Sequence, residues 1–131
     1  MIHRFNKHYT RSEARALLPE IRLWLKRLVH CRDELQKQEK RLETRLAPGR
    51  DLGGALVNDW VRTLADIRET LYEFHRREIQ IKDLDRGLID FPALMNGKEV
   101  FLCWESAEAD VDYWHDLDAG YAGREPIEGI E

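Results

Sequence analysis

Apolar positions recur with a helical period through the first half of the chain and with a period of two through much of the second. Ile21, Leu28, Leu35 and Leu42 stand seven apart, and Trp24, Leu25 and Cys31 fill the neighbouring row. That spacing puts them on one stripe of a helix. Thr10 and Glu13 have the spacing of a capping box at its start. Pro19 either kinks this helix or opens a second one after a short first turn. Pro48-Gly49 stops the run, and Gly53-Gly54 extends the loop. A second helix is expected from about Ala55 to about Arg77, with Trp60, Ile67 and Phe74 seven apart and Leu56, Leu64 and Leu71 between them. Two such helices joined by a short loop make an antiparallel hairpin, each ~35–40 Å long at 1.5 Å per residue.

Beyond Arg77 the pattern alternates. Ile79 and Ile81 flank Gln80 and precede Lys82. Asp85-Arg86-Gly87 fits a three-residue hairpin loop, and Asn96-Gly97 is a strong two-residue hairpin signal. Strands are expected at Leu88 to Leu94, Glu99 to Glu105 and Asp110 to His115, with a turn over Ser106 to Ala109. From Asp116 the chain is acidic and Gly-rich and reads as loop, with Pro126-Ile127 docking back onto the body. These turns place Asp90 opposite Cys103, Phe91 opposite Leu102 and Ile89 opposite Trp104. They also place Ile81 opposite Phe91, Lys82 opposite Asp90, Tyr113 opposite Leu102 and Asp112 opposite Cys103. One face then carries Ile79, Ile81, Ile89, Phe91, Val100, Leu102, Trp104, Val111 and Tyr113, and should lie on the helices. The expected fold is α+β: a long antiparallel helical hairpin packed against a small antiparallel β-meander of about four strands. It forms a single domain, with the hairpin at about 10–78, the meander at about 79–116 and an acidic tail at 117–131. A sheet this small cannot cover the whole apolar stripe, so a homo-oligomer is expected.

Composition narrows the class. The chain has 131 residues, 35% charged and 43% hydrophobic, which fits a foldable domain rather than a disordered segment. No apolar run approaches the ~18 residues of a membrane span, and Met1-Ile-His-Arg lacks the apolar core of a secretory signal. A cytoplasmic protein is expected. Cys31 and Cys103 have no partner at metal-site spacing and read as reduced thiols. The net charge of −4 hides an asymmetry: residues 1–50 carry +7 and residues 51–131 carry −11. The basic first helix and the acidic C-terminal part should attract each other, within or between subunits. Nucleic-acid binding by that helix is the weakest reading, since acids are interspersed and no recognised binding motif accompanies it.

The outer face of the expected sheet holds a row of Lys82, Asp90, Cys103 and Asp112, flanked by Phe101 and Trp114. It reads either as a solvated face with cross-strand charge pairs or as a shallow polar site. Two carboxylates beside Cys103 raise its thiol pKa and argue against a cysteine nucleophile. A divalent metal held by Asp90, Asp112 and the sulfur is chemically reasonable. His115 points to the apolar face in this register. A one-residue slip of the last hairpin brings it to the Cys103 side, though not directly opposite Cys103. Arg124 either neutralises neighbouring acids or grips a ligand carboxylate or phosphate. No phosphate-binding loop, dinucleotide fingerprint, zinc-ligand spacing or catalytic-serine order is present.

Several strings resemble one family. Tyr9-Thr10, Glu13-Ala14 and Leu17-Leu18-Pro19-Glu20 are followed by Lys82-Asp83-Leu84, Gly87-Leu88-Ile89-Asp90-Phe91-Pro92 and Leu102-Cys103-Trp104. Trp114-His115 and Gly120-Tyr121-Ala122-Gly123-Arg124 complete the set. Together they are similar to a bacterial family, domain of unknown function 2203, with Ala107-Glu108 standing where the family has Gly-Glu. The resemblance implies a cytoplasmic bacterial protein with a helical hairpin and a small sheet, and it supplies no activity. It implies that Asp83, Asp90, Cys103, Trp104, His115 and Arg124 act together as ligand-binding residues. Two functions follow as expectations. The first is a non-enzymatic homo-oligomeric binding or scaffold protein with a site for a small polar ligand near the sheet. The alternative is a small, metal-assisted enzyme using Asp90, Cys103 and His115.

Overall fold

A computed structural model describes residues 2–45 and 54–128. The expected Pro48-Gly49 stop lies outside the described residues. Helix α1 (Arg11–Arg45) starts at the expected box: Glu13 N–H donates to Thr10 Oγ1 at 3.1 Å and Thr10 N–H to Glu13 Oε1 at 2.9 Å. The helix runs unbroken through Pro19, so it is longer than expected, about 52 Å at 1.5 Å per residue. Pro19 lies on the exposed face, where water can replace the backbone hydrogen bond it omits. Helix α2 (Gly54–His75) ends in a Schellman-type cap. Ile79 N–H reaches the Phe74 carbonyl, and Glu78 takes the left-handed position at φ 59° that glycine usually fills.

Five strands follow, one more than expected: β1 (Gln80–Asp83), β2 (Leu88–Met95), β3 (Lys98–Trp104), β4 (Tyr113–Asp116) and β5 (Glu125–Pro126). They form an antiparallel sheet in chain order. The fifth strand comes from the tail read as loop, and Ile127 beyond it packs on the core. The Asn96-Gly97 turn has both residues at positive φ, 54° and 80°, as a type I′ hairpin requires. The expected β2–β3 register holds at all three pairs, Asp90–Cys103, Phe91–Leu102 and Ile89–Trp104.

The other two registers differ. Ile81 pairs with Ile89 and Gln80 with Asp90, and a bulge intervenes before Asp83 meets Leu88. The shift is an even number of residues, so Ile81 keeps its face and only its partner changes. On the far side Cys103 pairs with Tyr113, Leu102 with Trp114 and Phe101 with His115. This is a one-residue slip from the expected register, and it exchanges the faces of the whole strand. Trp114 joins the core in place of Tyr113, and His115 moves to the Cys103 side.

The inner face of the sheet packs on α1 and the end of α2. Ile89, Phe91, Val100, Leu102 and Trp104 meet Leu18, Ile21, Leu25, Leu28 and Phe74 in one cluster. The outer face is covered rather than solvated. The segment before α1 is tied down by two carboxylates: Glu99 accepts the N–H groups of Arg4 and Phe5, and Glu78 accepts those of Asn6 and Lys7. Phe5 then stacks on Phe101, with ring centroids 5.4 Å apart. The acidic segment after β3 meets the basic helix within one chain. Arg11 bonds Asp112, Arg15 bonds Asp110, and Arg22 donates to the carbonyls of Ser106 and Glu108. Among the described residues no helix is long and apolar enough to cross a membrane.

Candidate functional site

Adjacent strands bring three polar side chains to one buried point on the outer face. Asp90 on β2 is 2% exposed, Cys103 directly opposite on β3 is 1% exposed, and His115 on β4 is 2% exposed. His115 is opposite Phe101 and therefore lies two residues along from Cys103, on the same face. A Cys Sγ, a carboxylate oxygen and an imidazole nitrogen lie within 4.8 Å of one another. Zinc ligands at 2.0–2.3 Å from their ion stand roughly 3.3–3.7 Å apart in a tetrahedron. The Asp90 Oδ2–His115 Nε2 separation, 3.1 Å, is already near that spacing.

The hydrogen bonds around His115 fix where positive charge belongs. Its Nδ1 lies 2.7 Å from the Asp116 carbonyl oxygen, which can only accept. Nδ1 therefore carries a proton, and Nε2 turns toward the Asp90 carboxylate. Two lone pairs at 3.1 Å repel unless a proton or a metal ion lies between them. A backbone carbonyl on the far nitrogen is also how proteins orient a metal-binding histidine. The other carboxylate oxygen, Asp90 Oδ1, is buried and has no hydrogen-bond partner. Such an atom costs ~1–3 kcal/mol if left unmet.

Cys103 is held as a thiol. Burial, followed by the charge of Asp90, pushes it up to about 12, while Arg124 beside it acts in the opposite direction. An uncoordinated Cys103 is thus no nucleophile at neutral pH. A bound cation would replace the thiol proton and let the sulfur act as a thiolate ligand.

The remaining expected residues divide. Arg124 is present at the edge of the site. Its guanidinium stacks between the rings of Tyr113 and Tyr121, at 4.0 and 4.2 Å, and donates to Glu108 Oε1 at 3.0 Å. Asp83 is not in the site: its carboxylate accepts the Arg86 N–H and closes the β1–β2 turn. Trp104 points the other way, into the core, with Nε1–H donating to the Glu108 carbonyl and Arg22 against its ring. Asp112 does not face Cys103, because the slipped register carries it to Arg11. His115 takes the place in the donor set that Asp112 was expected to hold.

The triad opens onto a cavity of about 240 Å³. Lys82, Leu88, Leu117, Asp118, Gly120 and Tyr121 complete its wall. Tyr121 carried no signal of its own beyond the Gly-Tyr-Ala-Gly-Arg string, and it enters because the tail folds over the sheet. A second donor group, His3, His8 and Glu99, was also not foreseen. Its Glu99 carboxylate is already committed to two N–H groups and to His8 Nε2 at 2.8 Å.

The family model for an uncharacterized conserved protein, DUF2203, matches residues 7–127. No curated protein and no solved structure matches the chain.

Proposed function

The chain belongs to the DUF2203 family of uncharacterised conserved proteins, and we propose that its activity centres on one divalent metal ion held by Asp90, Cys103 and His115. The observation that supports this is the buried convergence of one oxygen, one sulfur and one nitrogen donor around an unpartnered carboxylate oxygen. Mixed thiolate, imidazole and carboxylate donors suit zinc best among abundant divalent ions. Three protein donors with a fourth side open to a cavity resemble a reactive zinc site rather than a closed structural one. This favours the metal-assisted reading over a purely non-enzymatic scaffold. The ion supplies Lewis acidity toward a small polar ligand in the cavity. The protein's own part is to fix the His115 ring through the Asp116 carbonyl and to hold the Cys103 sulfur beside Arg124.

Cobalt makes the test visible. Cobalt titrated into the metal-free chain should give the strong near-ultraviolet band of a thiolate ligand at one ion per chain. Asp90→Asn should weaken binding at least ~100-fold, more than the loss of a supporting residue usually does, and Cys103→Ser should remove the band with the fold intact by circular dichroism. A wild type that binds no cobalt would end the proposal.

Self-association is a second reading, favoured by a separate observation. Of its 22 residues α2 buries only Thr70 and Phe74. Val61, Leu64, Leu71 and Tyr72, at helical spacing, are 37–59% exposed. A second copy of this chain is the proposed cover. The cytoplasmic and bacterial settings are likewise proposals, the first supported by the two free thiols.

A further inference from the structure

The charges around the cavity cancel, with one exception. When a divalent ion is bound, the Asp90 carboxylate and the Cys103 thiolate neutralise it, and His115 contributes no charge. Arg124 is matched by Glu108 at 3.0 Å, and Asp118 on the rim is matched by Arg4 at 3.6 Å. Lys82 remains. It lines the cavity and forms no ion pair among the described residues. Its ammonium sits 5.4 Å above the Phe101 ring centroid, and that ring lies 5.6 Å from the His115 ring. The bulge in β1 holds it there, between Ile81 on the core face and Asp83 in the turn. An ammonium over an aromatic face keeps its outward N–H groups free for an acceptor.

The rest of the wall sets the ligand's size and polarity. About 240 Å³ corresponds to roughly eight waters at ~30 Å³ each. Leu88 and Leu117 offer apolar surface for a short carbon skeleton. We infer that the cavity takes a small monocarboxylate, its apolar body against Leu88 and Leu117 and its negative charge met by Lys82 at the open side of the metal site. The inference rests on the metal reading above and assigns Lys82 as the residue that selects for charge. A doubly charged anion such as phosphate exceeds the single positive charge available, and a neutral isostere draws no attraction from Lys82, whose side chain stands exposed at the mouth of the cavity.

The test uses the full chain loaded with cobalt, with acetate, acetamide and inorganic phosphate as probes. Acetate should perturb the cobalt visible spectrum saturably and at least tenfold more tightly than acetamide or phosphate. Lys82→Gln should weaken acetate about tenfold, as expected for loss of a charge-assisted contact, while the thiolate–cobalt band and the cobalt stoichiometry stay as in the wild type. Acetate binding that is equal in Lys82→Gln, or no tighter than acetamide, overturns the inference and leaves the metal site standing. So does cobalt binding with no response to acetate. A chain that takes up no cobalt ends both readings at once.

Discussion

Cys103 shows how much a single residue's behaviour depends on its neighbours. Its thiol is pushed up to about 12 by burial and by Asp90, and Cys31 on α1 is also raised, by burial and Asp66. The native metal-free protein should therefore react with iodoacetamide at pH 8 far more slowly than a free thiol, with both cysteines labelled only on unfolding. Mass spectrometry of the labelled chain checks this, and rapid modification of Cys103 would show that its thiol is not held as described. Glu99 is shifted the other way. Burial alone would raise it, but His8 and the N–H groups of Arg4 and Phe5 outweigh that and hold it at about 2. A carboxylate lowered on folding adds stability above its ordinary value near 4.5 and loses it as the pH falls toward 2. Denaturant titrations at pH 6 and pH 3 should show a larger acid loss for the wild type than for Glu99→Gln. Equal losses would mean that the tie to the first residues contributes nothing.

At the scale of elements, turns decide which side chains meet. Gly87 sits at φ +62°, and an added Cβ there would lie 2.8 Å from both Cβ and Oγ of Ser106. Gly87→Ala should cost about 1–3 kcal/mol, measured by urea unfolding. A neutral result would show that the Leu84–Gly87 turn tolerates another conformation. Both tight turns were legible from local chemistry, because Asn96-Gly97 and Gly87 supply the positive φ that they need. Only the first gave its register, since the bulge before Asp83 moves Ile81 from Phe91 to Ile89 and puts Gln80 rather than Lys82 opposite Asp90. The first gave the Asp90–Cys103 pair directly. The β3–β4 connection was not legible in the same way. It is built from contacts specific to this chain: Trp104 Nε1–H on the Glu108 carbonyl, Glu105 N–H on the Glu108 carboxylate and Val111 N–H on Asp110. No turn rule counts the residues in such a loop, and a miscount of one exchanged Asp112 for His115 in the site. Glu78 and Glu99 were equally hidden, since each captures backbone groups more than seventy positions away.

Across the whole molecule, part of the basic helix is spent on the acidic half of the same chain. Arg11, Arg15, Arg22 and Arg32 of α1 bind acids or carbonyls of the strand region. The apolar stripe is treated differently. Ile21 and Leu28 are buried while Leu35 and Leu42 are only partly so, as expected where the sheet no longer reaches the hairpin. Val61→Lys with Leu71→Lys should shift the wild-type assembly toward monomer in sedimentation velocity and keep its helical circular dichroism. A wild type that is monomeric at micromolar concentration would rule out self-association through α2.

The central claim is that Asp90, Cys103 and His115 hold one metal ion. Calorimetric titration of zinc into the metal-free chain tests it most directly, because the other donor group, His3, His8 and Glu99, gives an internal control. One zinc per chain should bind, the affinity should fall at least ~100-fold in His115→Ala, and the double variant His3→Ala, His8→Ala should bind as the wild type does. Binding that survives His115→Ala but disappears with His3 and His8 would place the metal at the surface and contradict the account.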